Sequence, residues 1–316
     1  MKPLRYGIIS TASIAGRFVQ AVQATAHSQV VAVASRSITK AQTFASQYQI
    51  PRAYGSYSQL YQDQDIDIVY IATINSTHAA EIRAALLAGK HVLCEKPLVL
   101  TTAEAEELFA LAQTQGCFLM EAQKSVFLPV TNFLKKAIHT SMLGCLKQID
   151  MTSSFTVPAS QTWMYDPLQG GVVYGSATYT IEYISYLLEQ KASWNAVASK
   201  TEAGCIEAVS MHAKFGSSIL AASRIAMNVT TCNEARFYFT EGMITVKDYW
   251  KARSCTVHSY HTQKTTVENF PCLHELRYEA DHVYECLQAG LLQSPIMNEA
   301  MTLHCAKQVE VILQTS

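Results

Sequence analysis

The first 121 residues alternate between short apolar runs and segments with helical spacing, and this alternation constrains the fold most. The apolar runs begin at Leu4, Val30, Ile66, His91 and Cys117. The segments predicted to be helical are residues 14–25, 38–48, 77–88 and 101–115. Repeated strand–helix units indicate a parallel sheet with right-handed crossovers and helices on both faces. We therefore predict an α/β fold whose first domain, residues 1–121, is a doubly wound parallel sheet.

The remaining residues show a different pattern. A chain of 316 residues is longer than one hydrophobic core usually organises, so a second domain is expected over residues 122–316. Its strand-like runs lie near residues 193–200, 206–214, 218–226, 232–239 and 253–258. Predicted helices span residues 170–187, 273–289 and 298–313. Short turns between the strands predict a mostly antiparallel open sheet, with helices on one face and the other face available to a partner.

Composition excludes several classes of function. The net charge is −1 and no basic stripe is present, so we predict no nucleic-acid partner. No apolar run approaches the length of a membrane span, so no membrane partner is expected. The nine cysteines are scattered without Cys-x-x-Cys pairs, which suits a reducing cytoplasm. His258 and His261 have a spacing that zinc sometimes uses, but no third ligand is nearby, and we predict no metal site.

The stretch from Ala88 to Pro97 is the most informative about chemistry. Gly89 is a typical helix stop, and the apolar run that follows has the composition of a buried strand. This strand delivers Glu95 and Lys96 to its carboxyl end, where open α/β sheets bind their ligands. The Lys96–Pro97 bond is also of the X–Pro type, in which a cis peptide is accessible. In isolation, the same residues could be solvated charges at an ordinary strand exit.

The turn between the first strand and the first helix resembles a dinucleotide-binding loop with its glycines replaced. The fingerprint places glycines where this chain has Ser10 and Ala12, and a small residue where it has Ala15. These residues are small enough for a pyrophosphate to approach the backbone, provided that the turn needs no positive φ. We predict that the loop binds a cofactor through Ser10, Thr11, Ala12, Ser13 and Ile14.

Two further strand ends carry candidate cofactor contacts. The second strand ends at Ser35 and Arg36, with Lys40 one turn later, where an NAD site usually has a carboxylate. A guanidinium can hold a 2′-phosphate, so we predict NADP, with NAD possible; Arg36 as a plain exposed cation is the alternative. After the third apolar run, Thr73, Asn75 and His78 follow. We predict that they line the nicotinamide region.

These segments together resemble the Gfo/Idh/MocA family (glucose–fructose oxidoreductase, inositol dehydrogenase and rhizopine catabolism). The motifs are Ala-Gly-Lys-His-Val-Leu-Cys-Glu-Lys-Pro at 88–97, Asp-Pro-Leu-Gln-Gly-Gly at 166–171 and Arg-Tyr-Glu-Ala-Asp-His at 277–282. The Ser-Thr-Ala turn at 10–12 and Leu-Met-Glu-Ala at 119–122 are most similar to the dimeric dihydrodiol dehydrogenase branch. The resemblance implies an N-terminal Rossmann domain and a C-terminal α/β domain with an open sheet.

The resemblance also implies catalytic residues. Lys96 would hydrogen-bond the reacting oxygen, and Tyr179 stands where the family carries a tyrosine acid/base, while Glu95 belongs to the cofactor site. Gly175 stands where the family commonly has an aspartate. Val126 and Leu128 replace a common arginine and histidine. The predicted substrate contacts are Lys96, Gln123, Lys124, Trp163 and Tyr179.

The predicted function is an NADP(H)-dependent oxidoreductase. It would transfer hydride to or from a secondary alcohol or carbonyl of a sugar-like or diol substrate, as a homodimer or homotetramer formed through the C-terminal sheet. Two alternatives stay open. The loss of the aspartate at Gly175 suits a cofactor-binding regulator with reduced catalysis. A tightly held NAD could also support a redox-neutral, glycosidase-type reaction.

Overall fold

The computed structural model describes residues 2–157 and 161–315. The chain divides into two compact units. The first contains the residues up to Lys124 together with Leu273–Leu303, and the second contains Ser125–Cys272 and the residues from His304 onward. None of the helices in the described ranges is long and apolar enough to cross a membrane.

The first unit is built on a parallel sheet of six strands. The strands are β1 (Leu4–Ile9), β2 (Ser28–Ala34), β3 (Arg52–Tyr54), β4 (Ile68–Ile71), β5 (His91–Glu95) and β6 (Leu119–Ala122). Their order is β3-β2-β1-β4-β5-β6, and each neighbouring pair is parallel. The connecting helices are α1 (Ser13–Gln23), α2 (Ile38–Tyr48), α3 (Tyr57–Gln62), α4 (His78–Leu87) and α5 (Thr102–Gln115). The predicted doubly wound sheet is confirmed, while the short β3 and α3 went unpredicted.

Local signals in the sequence explain where these helices begin and end. The Thr101 hydroxyl accepts from the backbone N–H of Glu104, whose carboxylate accepts in return from the N–H of Thr101, so α5 begins with a complete capping box. The Ser37 hydroxyl caps α2 by accepting from the backbone N–H of Lys40. After α4 the chain turns at Gly89, whose φ of +72° favours glycine. The strands between them are apolar because a parallel sheet is buried on both faces.

The second unit contains a mixed sheet of eight strands in the order β14-β13-β12-β11-β7-β10-β9-β8. The strands are β7 (Leu146–Ser154), β8 (Trp194–Lys200), β9 (Ile206–Phe215), β10 (Ile219–Ala226), β11 (Glu234–Phe239), β12 (Gly242–Lys247), β13 (Ser254–Ser259) and β14 (Thr265–Asn269). Only β7 and β10 pair in parallel, so the predicted mostly antiparallel sheet is confirmed.

Helices α6 (Pro129–His139) and α7 (Thr178–Leu188) pack against each other in this unit. A π-helical segment, Val173–Ala177, precedes α7. Along β9 and β10, buried and exposed side chains alternate, so one face of the sheet is buried and the other is open. The boundary between the two units falls inside α9 (Glu299–Thr315).

Residues 273–303 fold with the first unit, although the sequence alone places them in a domain spanning 122–316. Helix α8 (Arg277–Gln288) packs against α1. Arg17 on α1 forms an ion pair with Glu275, and the His27 imidazole lies 2.9 Å from the Asp281 carboxylate. Residues 273–303 join the first unit because they contact α1, which is more than 200 residues earlier in the chain. The local pattern of an amphipathic helix does not reveal such a contact.

Candidate active site

The sheet order brings several predicted site residues to one edge of the first unit. Strands β1, β4 and β5 are neighbours, so the residues that follow them meet at their carboxyl ends. Ser10 follows β1, Thr73 comes just after β4, and Glu95 ends β5 with Lys96 next. In open α/β sheets this edge is where ligands bind.

The first of these turns has a strained residue at its centre. Ser10 has φ of +123°, a conformation that favours glycine, so the turn does need positive φ, contrary to the condition stated for the replaced glycines. Its hydroxyl accepts from the N–H of Ala12 at 3.1 Å, and its own N–H donates to Ala34 at 3.1 Å. These two bonds hold the serine in the position that the fingerprint reserves for glycine.

The N-terminus of α1 is open for an anion. Ala12 occupies the N-cap and has no side chain able to cap the helix, which leaves the first N–H groups without an intrahelical partner. Ala12 and Ser13 are exposed, and Thr11 and Ile14 are half-buried beside them. A Cβ added at Gly16 would lie 2.2 Å from the Tyr48 hydroxyl, so this glycine allows α1 and α2 to approach closely. Uncapped N–H groups and the helix dipole suit a pyrophosphate.

Two cations follow β2: Arg36 lies just after the strand, and Lys40 lies in the first turn of α2. Arg36 and Lys40 are exposed, and neither forms an ion pair with any residue in the described ranges. Ser35 is buried, and its hydroxyl accepts from the N–H of Ser37 at 3.3 Å. Tyr57 lies close enough for the Arg36 charge to act on its phenol, although burial dominates and raises the pKa of Tyr57. The two cations are therefore available to an anionic ligand.

His78 links the turn after β4 to the loop after β5. Its imidazole is buried, with Nδ1 2.8 Å from the Pro97 carbonyl oxygen and Nε2 3.2 Å from that of Thr73. Burial lowers the pKa of His78, which favours the neutral ring with its one N–H. Asn75 is buried in the same turn. His78 thus braces the loop that carries Lys96, and its contact with a nicotinamide stays a prediction.

Glu95 and Lys96 are half-buried at the end of β5, and the Lys96–Pro97 peptide is cis. One carboxylate oxygen of Glu95 accepts from the Tyr70 hydroxyl at 2.5 Å. The loop after them is held by Glu121, a residue that was not predicted to belong to the site. Its buried carboxylate accepts from the Leu98 N–H at 3.0 Å and from the Thr302 hydroxyl at 2.9 Å. A lone carboxylate inside the apolar strand β6 was the signal that could have revealed it.

Gln123 and Lys124, predicted to contact substrate, are both buried. The Lys124 ammonium lies 3.5 Å from a carboxylate oxygen of Glu275. Burial, followed by the nearby Arg17 charge, lowers the pKa of Lys124 to about 8. This lysine is therefore buried and paired with Glu275, and its contact with a substrate stays a prediction.

In the second unit, Tyr179 lies on α7 and is half-buried, with its ring centroid 6.4 Å from that of Trp250. Trp163 lies in a short 3₁₀ turn, Thr162–Tyr165, and is half-buried. The two glycines before α7 are required for different reasons. A Cβ at Gly170 would lie 2.4 Å from the Met164 carbonyl oxygen, and Gly171 has a φ of +76°, which favours glycine.

The two zinc-like histidines have no metal-site geometry. His258 Nδ1 lies 2.9 Å from the Thr265 hydroxyl on the neighbouring strand. In residues 2–157 and 161–315, no group of three or more histidine, cysteine, aspartate or glutamate side chains could hold a metal ion.

Family models match both parts of the chain. Residues 4–123 match "Oxidoreductase family, NAD-binding Rossmann fold", and residues 131–245 match "GFO/IDH/MocA C-terminal domain". The chain belongs to the Gfo/Idh/MocA oxidoreductase family. The predicted resemblance is thereby confirmed, and the chain is an oxidoreductase with an NAD(P)-binding Rossmann domain.

Relatives within the Gfo/Idh/MocA family include trans-1,2-dihydrobenzene-1,2-diol dehydrogenases. The protein from Xenopus laevis is 34% identical over 310 residues, covering 94% of this chain and 93% of the relative. The one from Mus musculus is 31% identical over 309 residues, covering 93% and 91%. Both relatives are therefore similar to this chain over nearly their whole length.

Solved structures share the fold. Aldose–aldose oxidoreductase from Caulobacter crescentus has a TM-score of 0.89 at 24% identity, covering 99% of this chain and 97% of its own. A 3-ketoreductase from Actinomadura kijaniata, solved with NADP and TDP-benzene, has a TM-score of 0.89 at 22% identity, covering 99% and 98%. At this identity the likeness supports the architecture alone.

One position departs from the pattern that the Gfo/Idh/MocA resemblance implies. Gly175, in place of the expected aspartate, lies in the π-helical segment before α7. A Cβ at this position would lie 3.2 Å from the Phe155 ring. A carboxylate here would therefore require the phenyl ring to move, so Gly175 and Phe155 fit each other.

Proposed function

We propose that this protein is an NADP(H)-dependent oxidoreductase that interconverts a secondary alcohol and a carbonyl in a diol or sugar-like substrate. One observation carries the cofactor choice: Arg36, which follows β2, and Lys40, in the first turn of α2, have no anionic partner in the described residues. A carboxylate at that position would repel a 2′-phosphate, whereas a guanidinium can hold it. The substrate class rests on the full-length likeness to dihydrodiol dehydrogenases.

The residues present fit NADP. The uncapped N-terminus of α1 would hold the pyrophosphate, Arg36 and Lys40 the 2′-phosphate, and the residues after β4 and β5 the nicotinamide end. These last residues are Thr73, Asn75, His78, Glu95 and Lys96. When bound, the cofactor supplies or accepts the hydride that the alcohol–carbonyl conversion requires.

Lys96 and Tyr179 are the proposed catalytic residues. The Lys96 ammonium donates a hydrogen bond to the reacting oxygen and stabilises the charge that develops there. The Tyr179 phenol gives up or takes the proton of that oxygen. Neither role needs a carboxylate at Gly175. Gln123, Lys124 and Trp163 are the further candidates for substrate contact.

We also propose that the protein assembles as a homodimer or homotetramer through the open face of the second unit's sheet. Val197 and Leu220 are 74% and 52% exposed on that face, and such large apolar side chains favour a protein partner. We expect light scattering to give two or four times the 34.9 kDa chain mass, and Leu220→Glu to reduce it. A monomer at micromolar concentration would contradict this.

We further propose a cytoplasmic location. All nine cysteines are free thiols, which suits the cytoplasm.

A substrate panel tests the proposed function. Diols, polyols and aldoses are supplied with NADP, ketones and ketoses with NADPH, and absorbance at 340 nm is followed. We expect turnover with at least one diol or sugar, and faster turnover with NADP than with NAD at equal concentration. Cofactor binding without any turnover would favour a regulator instead. Product formation without an absorbance change, together with cofactor retained through purification, would favour redox-neutral chemistry.

A further inference from the structure

One peptide group next to Lys96 is bound at both of its polar atoms. It joins Pro97 to Leu98, and we call it the anchored peptide. Its carbonyl oxygen lies 2.8 Å from Nδ1 of His78, and its N–H donates to a carboxylate oxygen of Glu121 at 3.0 Å. The peptide is trans, so these two groups point in opposite directions and the plane is held from both sides. Rotation of the plane would therefore break at least one of the two hydrogen bonds.

The anchored peptide restricts the backbone of Lys96, because only a proline lies between them. The ring of Pro97 fixes its own φ near about −65°, which leaves the ψ of Pro97 as the one soft dihedral between the two peptide planes. The Leu98 side chain is buried in the core of the first unit, which holds the far end of the segment. The direction in which the Lys96 side chain leaves the backbone therefore depends on the orientation of the anchored peptide.

Glu121 is the acceptor on the N–H side of the anchored peptide. It lies on β6 and is 2% exposed, and its other carboxylate oxygen accepts from the Thr302 hydroxyl at 2.9 Å. Thr302 is also buried, and both residues belong to the first unit. Buried carboxylate oxygens require hydrogen-bond donors. The bond from Thr302 therefore helps to hold the Glu121 side chain in the orientation that reaches Leu98.

The position of Thr302 is set by contacts that do not involve the anchored peptide. Thr302 lies near the start of α9, where the Asn298 side chain accepts from the N–H of Met301 at 3.0 Å. Just before α9, the Leu292 carbonyl accepts from the N–H of Leu119 at 3.1 Å, which joins this segment to the start of β6. The start of α9 is thus fixed against β6. A chain of hydrogen bonds then runs from α9 through β6 to the anchored peptide.

We propose that Glu121 is a positioning residue for the reaction at Lys96, and that Thr302 holds Glu121 in place for this role. Glu121 acts through the anchored peptide and does not touch the substrate. Catalysis is sensitive to such geometry, since a displacement of roughly 1 Å at a catalytic group can cost about 100-fold in rate. The role rests on the proposed catalytic place of Lys96, so its test must separate a failure of Glu121 from a failure of Lys96.

Single-turnover kinetics provide this test. Enzyme carrying one equivalent of NADP is mixed with an excess of the best alcohol from the substrate panel, and NADPH formation is followed at 340 nm. In Glu121→Leu, which removes the acceptor and keeps a side chain of similar size, the rate constant should fall by roughly 10- to 100-fold. Glu121→Gln keeps an oxygen that can accept from the Leu98 N–H, so its rate constant should stay within about 3-fold of wild type.

The amplitude of the first phase separates positioning from a loss of folded protein. Unfolded enzyme lowers the amplitude and leaves the rate constant unchanged, whereas a displaced Lys96 lowers the rate constant at full amplitude. Thr302→Val removes only the bond to Glu121, so we expect a milder slowing of roughly 3- to 10-fold, and Thr302→Ser should restore the rate. Glu81→Leu removes a carboxylate that accepts from the Tyr61 hydroxyl and is the control expected to keep the wild-type rate constant.

A double variant shows whether Glu121 acts through Lys96. In a Lys96→Met background, Glu121→Leu should slow the reaction by less than about 3-fold, because the group that it positions is already absent. A full additional loss there would mean that Glu121 acts elsewhere and would overturn the inference. Wild-type rate constants in both Glu121→Leu and Thr302→Val, or equal losses in Glu121→Gln and Glu121→Leu, would also overturn it. An unchanged rate constant in Lys96→Met would instead show that the proposed catalytic role of Lys96 is wrong.

Hydrogen exchange tests the contact without any activity. The Leu98 amide is protected by its bond to Glu121, so in Glu121→Leu its exchange should become at least about 10-fold faster under native conditions. Glu121→Gln and the Glu81→Leu control should keep the wild-type exchange rate, measured by mass spectrometry of fragments that contain Leu98. Unchanged exchange in Glu121→Leu would show that another group holds the anchored peptide and would overturn the inference.

Discussion

Replacing Lys96 with methionine, or Tyr179 with phenylalanine, is expected to lower kcat/KM by roughly 10²- to 10⁴-fold. Methionine keeps the length of the lysine stem but removes the hydrogen-bond donor to the reacting oxygen. Phenylalanine keeps the ring but removes the ionisable hydroxyl. Because both groups would act on the same proton transfer, the double variant should lose much less than the product of the two single losses.

Steady-state kinetics give the turnover of each variant, and cofactor titration gives its Kd for NADP. The Kd for NADP should change less than the turnover in both variants, since the proposed roles concern the substrate oxygen. Tyr186→Phe, on the same helix as Tyr179, and Lys136→Met are matched controls expected to retain turnover. Turnover that is unchanged in both Lys96→Met and Tyr179→Phe would end the mechanistic assignment.

Arg36→Ala is expected to weaken NADP and leave NAD nearly unaffected. A hydrogen bond from a charged donor to a phosphate is worth about 1.5–3 kcal/mol, so the Kd for NADP should rise by roughly 10- to 150-fold. Only NADP carries the 2′-phosphate, so the Kd for NAD should change by less than about 3-fold. Lys40→Ala should also weaken NADP binding more than NAD binding. Its effect should be smaller, because an ammonium cannot form the planar two-bond contact with a phosphate.

Isothermal titration of both cofactors decides this prediction. Arg83→Ala is a suitable control, because Arg83 is an exposed arginine paired with Glu107 and distant in sequence from the strand end. Equal loss of affinity for NADP and NAD in Arg36→Ala would remove the basis for the cofactor choice. Arg36→Asp offers a stronger test, since its carboxylate should reverse the preference toward NAD.

Much of the first unit could be predicted because its signals are local. Buried parallel strands are apolar throughout their length. A helix start such as that of α5 can be recognised from a four-residue capping-box motif, here Thr101 to Glu104. Repeated strand–helix units then predict a parallel sheet, whose strands share one carboxyl edge, and this places Glu95 and Lys96 where ligands bind. Two short elements, β3 and α3, are too brief to produce a periodic pattern.

The second unit was harder because its central pairing is remote in sequence. Strand β7 pairs in parallel with β10, so Gln148 lies beside Leu220, and no hairpin turn signals the contact. Lys147 and Gln148 are both exposed between the buried Leu146 and Ile149, which interrupts the alternation of β7. The placement of residues 273–303 was missed for the same reason, since the pairing of Asp281 with His27 is visible only in the folded chain.

Within the site, the sequence identified residue types better than backbone states or burial. The turn at Ser10 adopts a positive φ although it lacks glycine, because the serine hydroxyl bonds the N–H of Ala12. Glu121 and Glu279 look in sequence like ordinary charged residues, and Lys124 like a residue for substrate contact. Their burial follows from packing of α8 and α9 residues on the first unit, which local pattern does not encode.

The most direct test of an NADP-linked dehydrogenase follows the hydrogen that is transferred from the carbinol carbon of the substrate to the cofactor. The best alcohol substrate from the panel is labelled with deuterium on the carbon that bears the reacting hydroxyl, turned over with NADP, and the reduced cofactor is analysed by mass spectrometry. Our account predicts one deuterium in each NADPH formed, in proportion to the carbonyl product. Product that forms while the label stays out of the cofactor pool would contradict it.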